Sequence, residues 1–178
     1  MHTFKDTTKS CCFSGHRTVD FNMSESKTLK QALSGAICKA INDGFRIFYG
    51  GMAHGFDILA AEETIRQRYA RQDVELRYIS VLPYNGHEMK TGQDWKKRHK
   101  DVLYASDDII TLSEKYHKGC FHVRNQFLIE RSTRLIALFN GKPGGTKFTF
   151  NLAVSNNIEI INLWNENMGG KTPLPPVT

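Results

Sequence analysis

Short apolar runs alternate with longer amphipathic segments along the 178-residue chain. The apolar runs have the length of buried strands, and the segments between them carry apolar residues at the i, i+3, i+4 spacing of helices. Glycine, proline and asparagine mark most of the junctions. The strand candidates are residues 11–15, 45–51, 74–83, 107–113, 133–141 and 158–164, and the helix candidates are residues 26–42, 56–70, 94–105 and parts of 118–132 and 142–157.

This alternation predicts a doubly wound α/β fold, with a mainly parallel sheet and helices on both faces. The sequence contains no internal repeat and no linker, so one domain is expected over residues 1–178. Its core is expected at about 11–164, followed by an irregular tail at 165–178 that is rich in glycine and proline. In the fourth helix candidate, Val123, Phe127 and Leu128 are predicted to face inward, with Phe121 as a further candidate.

The amino-acid composition indicates the general class of protein. The apolar share of 40% and the charged share of 24% are typical of folded globular domains. No apolar run reaches membrane-spanning length and the N-terminus lacks a signal-peptide core, so we expect a cytoplasmic protein without membrane contact. The four cysteines form no C-x-x-C pair and are interpreted as reduced core thiols.

The net charge of +6 favours an anionic partner, either a polyanion or an anionic small ligand. The densest basic segment is "WKKRHK", residues 95–100. A solvated helix face is the more common explanation of such a run. Nucleic-acid binding is the alternative, and beyond Trp95 the run has few aromatic residues that could stack on bases.

Ligands of parallel α/β sheets bind beyond the carboxyl ends of the strands, so the residues that follow each strand are the informative ones. "SGHR" follows the first strand, where Gly15 permits a tight turn and Arg17 offers a planar fork of donors to a phosphate or carboxylate. "GGMAHGFD" follows the second strand. Its glycines Gly50, Gly51 and Gly55 predict close approach of a ligand to the backbone and an anion site at the helix entrance.

The spacing G-G-x-x-x-G matches neither the dinucleotide fingerprint nor the P-loop, and no lysine stands where a P-loop would need one. Asp57 falls in the first turn of the next helix. Two roles are open for its carboxylate: complementing the helix dipole and free N–H groups, or accepting hydrogen bonds from ribose hydroxyls.

A second glycine turn, "NGKPGGT", follows the fifth strand and opens another helix through Gly144, Gly145 and Thr146, with Lys142 nearby. "HVRNQ" places Arg124 and Asn125 early in the preceding helix. Two glycine turns that each open a helix, with three cationic side chains able to converge on them, indicate a phosphate-bearing ligand.

The segments "SGHR", "GGMAHGFD", "RNQFLIERS" and "LIALFNGKPGGT", in this order and spacing, resemble the YpsA-like branch of the SLOG superfamily. That superfamily is named for the DNA-processing Smf/DprA proteins and the lonely-guy phosphoribohydrolases. The resemblance runs from about Cys11 to Trp164 and implies a Rossmann-like fold, a pocket for an ADP-ribose-like, NAD-related or nucleoside phosphate ligand, and a homo-oligomer. It places these residues at the pocket: Gly15, Arg17, Gly50, Gly51, Gly55, Asp57, Arg124, Asn125, Gly144, Gly145 and Thr146.

One departure bears on activity. The lonely-guy hydrolases carry a glutamate three residues after the threonine of a P-G-G-x-G-T turn, whereas here the turn is "PGGT" and Lys147, Phe148 and Thr149 follow. Cleavage of an N-glycosidic bond needs a stabilised sugar cation and a base for water, so the sequence leans against an enzyme.

The histidines offer contacts more than catalysis. His16 and His54 lie in the first two glycine-bearing loops and are ligand-contact candidates, with a general-base role for His54 an open alternative. The spacing of His117 and His122 does not match a helical metal pair, so no metal site and no required cofactor are predicted.

Three functions follow, in order of preference. The first is binding or sensing of a nucleotide-derived small molecule, and the second is hydrolysis of an N-glycosidic bond in such a molecule. The third is binding of single-stranded nucleic acid.

Overall fold

The predicted strands and helices alternate in the computed structural model as the apolar pattern requires. The structure describes residues 9–17, 23–87 and 92–165, with the backbone alone for 23–26, so nearly all of the predicted tail lies outside the described residues. The strands are β1 (Lys9–Gly15), β2 (Phe45–Gly50), β3 (Arg77–Leu82), β4 (Asp108–Thr111), β5 (Arg134–Leu138) and β6 (Glu159–Asn162). The helices are α1 (Met23–Asn42), α2 (Phe56–Ala70), α3 (Gln93–Ala105), α4 (Cys120–Glu130) and α5 (Gly145–Ser155).

The six strands form one sheet in the order β4-β3-β2-β1-β5-β6. Every neighbouring pair is parallel, which confirms the predicted α/β class with its parallel sheet. The chain adds strands outward from β1 to β4 and then returns, so that β5 pairs with the other side of β1. The connections leaving β1 and β5 therefore diverge, and this switch point opens a crevice at their carboxyl ends.

Both faces of the sheet are covered, because alternate residues of β1 enter different cores. Cys11 and Phe13 pack into the core that α1 and α2 form with one face. Cys12 packs on the opposite face with Leu128 of α4 and Ala153 of α5. The helices on both faces were predicted, and the two cores confirm them.

The apolar residues that recur at helical spacing in α1 pack inward: Leu29, Leu33, Ile37 and Ala40 are each no more than 2% exposed, and Ala36 is partly buried. The helix ends at Asn42, and Gly44 follows with a positive φ of 93°, which glycine adopts without strain. No helix among the described residues is both long enough and apolar enough to cross a membrane.

The inward face of α4 differs from the prediction. Leu128 is buried as predicted, but Val123 is 48% exposed, so its inward placement was wrong. The face turned inward carries Arg124 and Asn125 instead. Apolar spacing could not show this, because the buried face of the helix mixes polar and apolar residues.

The cysteines are free thiols, as predicted. Three of them are buried, whereas Cys38 is partly exposed and receives a hydrogen bond from the guanidinium of Arg71 at 2.7 Å. Burial raises the pKa of Cys12 to about 12, which makes this thiol a poor nucleophile at neutral pH.

We predict opposite effects of two glycine-to-alanine substitutions on stability. A Cβ on Gly50 would overlap the hydroxyl of buried Tyr78, whereas a Cβ on Gly35, which is exposed in α1, meets no atom within 4 Å. Gly50→Ala should lower the free energy of unfolding by about 1–3 kcal/mol through overpacking. Gly35→Ala should raise it by about 0.5–1 kcal/mol through helix propensity. Urea unfolding followed by circular dichroism measures both, and equal effects would contradict the steric argument.

Candidate functional site

A cavity of about 420 Å³ lies at the carboxyl ends of β1 and β5, where the switch point of the sheet opens. We call it the glycine cavity, after the glycine turns that border it. Much of the predicted site meets here, drawn from four separate parts of the chain. Its lining consists of Ser14, Gly15, His16, Arg17, Ala53, Asp57, Phe121, His122, Arg124, Asn125, Gly144, Gly145 and Thr146.

Arg124 is a buried cation at this cavity, only 4% exposed. Its Nη1 donates to the carbonyl oxygen of Gly51, and its Nε donates to Asn125 Oδ1 at 2.7 Å. Burial lowers the pKa of Arg124, and the carboxyl group of Asp57 opposes this shift. The guanidinium therefore reaches from α4 to the end of β2 and is held there in one orientation.

Asp57 brings a carboxyl group to the same place from the first turn of α2. It is 5% exposed, and its Oδ2 accepts the backbone N–H of Ala53 at 3.3 Å. Its Oδ1 is buried and has no hydrogen-bond partner among the described residues. Burial raises the pKa of Asp57, an effect that the charge of Arg124 partly offsets. One oxygen thus supports the loop, and the other makes no hydrogen bond of full geometry with the described residues, although the backbone N–H of Gly15 also favours the charged carboxylate.

Gly51 allows Arg124 and Asp57 to come together. A Cβ on Gly51 would lie 2.7 Å from Arg124 Nη1 and 3.0 Å from Asp57 Oδ2. Any side chain there would push the two charged groups apart. The predicted reason for this glycine was close approach of a ligand, and at this position the structure shows close approach of two protein side chains.

Asn125 and the start of α5 supply hydrogen-bond donors. Because Arg124 Nε needs an acceptor, Asn125 turns its amide oxygen toward that guanidinium and keeps its NH₂ group for the cavity. The helix α5 begins at Gly145 after the N-cap residue Gly144, and no side chain in the described part of the chain caps it. Its first backbone N–H groups are therefore open to an anion at the positive end of the helix dipole.

His16 ties the two strand-end loops together. Its Nε2 accepts the backbone N–H of Asn140 at 3.1 Å, and its ring lies 6.2 Å from that of Phe139 and 6.5 Å from that of Trp164. An acceptor nitrogen requires the neutral ring, and burial lowers the pKa of His16 in agreement. His16 lines the cavity, but its Nε2 is engaged by the protein.

A second cavity of about 340 Å³ adjoins the first, and we call it the aromatic cavity. His54 lies here and not in the glycine cavity, and its pKa is lowered by burial and by the charge of Arg17. The two cavities share Arg17, Ala53, Phe121 and Arg124. The other lining residues are Met52, Ile58, Tyr84, His87, Trp95, His99 and Tyr116.

The aromatic lining was missed by sequence reasoning. Tyr84 stands two residues after β3, so the rule that selects residues beyond strand ends would have found it. Trp95 was read as part of the basic run. In the structure Lys97 pairs with Asp101 at 2.6 Å and Arg98 Nε donates to Glu62 at 2.6 Å, so part of the charge in that run is paired within the protein.

Four predicted site residues line neither cavity: Gly50, Gly51, Gly55 and Lys142. Gly55 has a φ of 87°, and a Cβ there would overlap the backbone carbonyl of Arg17. Gly55 therefore allows the loops after β1 and β2 to lie close together. Gly15 has a similar role, because its missing side chain leaves room for the ring of Phe56. Lys142 is exposed, and its backbone N–H donates to Asn140 Oδ1 at 3.0 Å.

Comparison with known protein families agrees with this arrangement of motifs. The family model described as the YspA SLOG family, named YpsA, matches residues 11–162. The chain belongs to the YpsA family. Relatives described as UPF0398 proteins, from Bacillus cereus and Bacillus thuringiensis, are 24% identical over 123 residues. Those matches cover 67% of this chain and 66% of each relative, which is slightly less than two thirds of their length.

Solved structures share the fold of this YpsA family member. DNA processing protein A (DprA) from Streptococcus pneumoniae has a TM-score of 0.59 at 16% identity, covering 86% of this chain and 49% of that one. DprA from Helicobacter pylori, described with its single-stranded DNA binding mode, has a TM-score of 0.60 at 21% identity and coverages of 87% and 65%. At these identities the likeness concerns the fold alone.

The neutral His16 predicts a pH dependence of stability. Because burial lowers its pKa in the folded state, its contribution is complete above about pH 6.5, the unfolded value, and is lost as the pH falls through the folded value. His16→Gln keeps an acceptor for Asn140 N–H without titrating. Between about pH 7.5 and 5 the wild type should therefore lose stability relative to this variant.

Urea unfolding at several pH values measures that difference. His87, whose pKa burial lowers to about 4, contributes an acid-dependent loss of its own, but this loss is common to both proteins and cancels. Parallel curves for wild type and His16→Gln would contradict the role given to the imidazole.

Proposed function

We propose that this protein binds a nucleotide-derived small molecule, with its phosphate and ribose in the glycine cavity. The observation that carries the proposal is the uncapped start of α5, which opens toward a cavity also lined by Arg17 and Arg124. Backbone donors and two cationic side chains around one space are the usual surroundings of a bound phosphate. ADP-ribose, NAD-like molecules and nucleoside phosphates all have such a group.

The phosphate site combines a fixed and an adjustable part. Arg124 is buried and held by Gly51 and Asn125, so it loses little side-chain freedom when a ligand binds. Arg17 is exposed, and its guanidinium lies 5.1 Å from the centre of the Phe121 ring. We assign the first contact with the incoming anion to Arg17 and the fixed contact to Arg124.

A ribose next to the phosphate would meet Asp57. Its Oδ1 has no partner among the described residues, and burying an acceptor without a hydrogen bond is costly. A sugar hydroxyl would satisfy it. This supports the ribose role of Asp57, while the Ala53 contact of Oδ2 supports the loop role, so one carboxyl group serves both.

Hydrolysis of an N-glycosidic bond is the second candidate, and Asp57 is the observation that favours it. Thr149 Oγ1 donates to the Gly145 carbonyl oxygen, and Lys147 and Phe148 are exposed, so α5 itself supplies no carboxylate after Thr146. Asp57 delivers one to the same cavity from α2. Burial raises the pKa of Asp57, which is the direction that a proton-transfer role requires.

Single-stranded nucleic acid is the third candidate. It rests on the net charge of +6 and on the likeness in fold to a DprA described as binding single-stranded DNA. Such binding would weaken steeply with salt, because phosphate contacts release counterions.

A homo-oligomer also stays a prediction, which light scattering after size-exclusion chromatography tests.

A negative charge at the start of α5 is predicted to weaken ligand binding. Among the described residues outside its own helix, a Cβ on Gly145 would meet only Asn125 Nδ2, at 3.9 Å, so the position accepts substitution. Gly145→Asp places a negative charge at the helix N-terminus, where it should keep or raise stability while repelling an anion. Gly145→Asn has nearly the same shape without the charge.

Calorimetric titration with ADP-ribose, ribose 5-phosphate and pyrophosphate compares the two variants. We expect Gly145→Asp to bind all three at least about tenfold more weakly than Gly145→Asn, the loss expected for a charge-assisted contact. Equal affinities in the two variants would place the phosphate elsewhere. Absence of binding by the wild type to any of a broad nucleotide panel would end the proposal.

The variant Asp57→Asn separates a ribose contact from turnover of the ligand. This variant should weaken ADP-ribose binding by about tenfold, because a hydrogen bond to a charged acceptor is worth roughly 1.5–3 kcal/mol, and it should not weaken pyrophosphate binding. Glu130→Gln, an exposed acid on α4, is the matched control and should bind like the wild type.

Chromatography of the same mixtures after overnight incubation tests hydrolysis. With binding as the function, we expect the wild type to return ADP-ribose and nucleoside monophosphates intact. Formation of a free base that Asp57→Asn abolishes and Glu130→Gln leaves unchanged would instead make the second candidate the function.

A further inference from the structure

We propose that the aromatic cavity binds the planar base of the ligand whose phosphate lies in the glycine cavity. This inference rests on the proposed function and adds the orientation of the ligand. It also assigns a base-binding role to Trp95 and Tyr116, which the sequence did not single out as site residues. The inference rests on the residues that the two cavities share and on the aromatic rings that line the second cavity.

Aromatic rings surround the second cavity on several sides. The ring of Tyr84 lies 5.6 Å from that of Tyr116 at an interplanar angle of 82°, and 6.2 Å from that of Phe121 at 68°. On another side, Trp95 lies 6.1 Å from His54. Flat walls set edge to face around a cavity of about 340 Å³ suit a planar heterocycle, which stacks on one ring and meets the edges of others.

The junction between the cavities has the charge that a nucleotide needs at its middle. Arg17, Phe121 and Arg124 line both spaces, and the two guanidinium carbons lie 5.1 Å and 6.0 Å from the centre of the Phe121 ring. A molecule extending from one cavity to the other therefore passes two cations. In ADP-ribose a diphosphate joins the base-bearing ribose to the second ribose, so a base in the aromatic cavity places this negative charge at the junction.

His54 fits the edge of a neutral base. Burial and the charge of Arg17 both lower its pKa, so the ring is neutral at physiological pH and offers one donor and one acceptor. Its neighbour Trp95 is itself held by the guanidinium of Arg98, 4.7 Å from the indole ring. Arg98 is in turn paired with Glu62, so one face of the indole lies against an ion pair.

The test compares ligands with and without a base. Calorimetry measures the affinities of ribose 5-phosphate, the common ribonucleoside 5′-monophosphates and ADP-ribose for the wild type, Trp95→Ala and Tyr116→Ala. Tyr116 is 58% exposed, so its variant folds even if removal of Trp95 disturbs the core. Tyr104→Ala is the matched control, because Tyr104 lies on the same helix as Trp95 and is 94% exposed.

We expect the wild type to bind at least one base-bearing ligand about tenfold or more tightly than ribose 5-phosphate, because stacking on an aromatic side chain stabilises a bound base. Trp95→Ala and Tyr116→Ala should remove most of that advantage and leave ribose 5-phosphate binding unchanged. Tyr104→Ala should match the wild type. Quenching of tryptophan fluorescence by the nucleotide should persist in Trp164→Phe and disappear in Trp95→Phe.

Each other outcome overturns the inference in a recognisable way. Equal wild-type affinity for ribose 5-phosphate and every base-bearing ligand would show that the base is not held in the aromatic cavity, while the proposed function would stand. No binding of either kind would remove the proposed function itself. Binding of an oligonucleotide alone, with a steep salt dependence, would show that the rings serve a nucleic-acid strand instead of a free nucleotide.

Discussion

The site depends on the way Arg124 is held inside the protein. A buried guanidinium is costly unless its donors are matched, and here the Gly51 carbonyl and the Asn125 amide accept two of its N–H groups while Asp57 lies opposite. These contacts join α4 to the end of β2 and to the start of α2. The inward face of α4 therefore combines these polar contacts with buried Leu128 and Ile129, and Val123 lies outside it.

The other strand-end loops are arranged around that centre. His16 accepts a hydrogen bond from a backbone N–H of the loop after β5. Gly15 and Gly55 have no side chain where the loops after β1 and β2 meet. With the loops fixed by one another, the start of α5 and the NH₂ group of Asn125 remain available to a ligand. A rigid frame with a few open donors is what binding without large rearrangement requires.

Much of the fold and part of the site could be predicted from the chain. The apolar runs showed the strands, and the rule that ligands bind beyond strand ends selected Arg17, Asp57 and the glycine turn before α5. Arg124 was selected by its place early in the helix before β5. The roles of the glycines could not be predicted, because a glycine beside a ligand and one beside a buried side chain look alike in sequence. Trp95 could not be recognised as a cavity residue either, because its neighbours in the sequence are mostly charged.

The sequence by itself determined the alternation of strands and helices, the family and the presence of two glycine turns, because periodicity and motif spacing are local properties. Only the tertiary structure decided that Asp57 lines the same cavity as the turn that lacks a carboxylate, that His16 is engaged by Asn140, and that an aromatic cavity adjoins the glycine cavity. These relations join residues far apart in the chain. They arise from the order of strands in the sheet, which brings the end of β1 beside the end of β5.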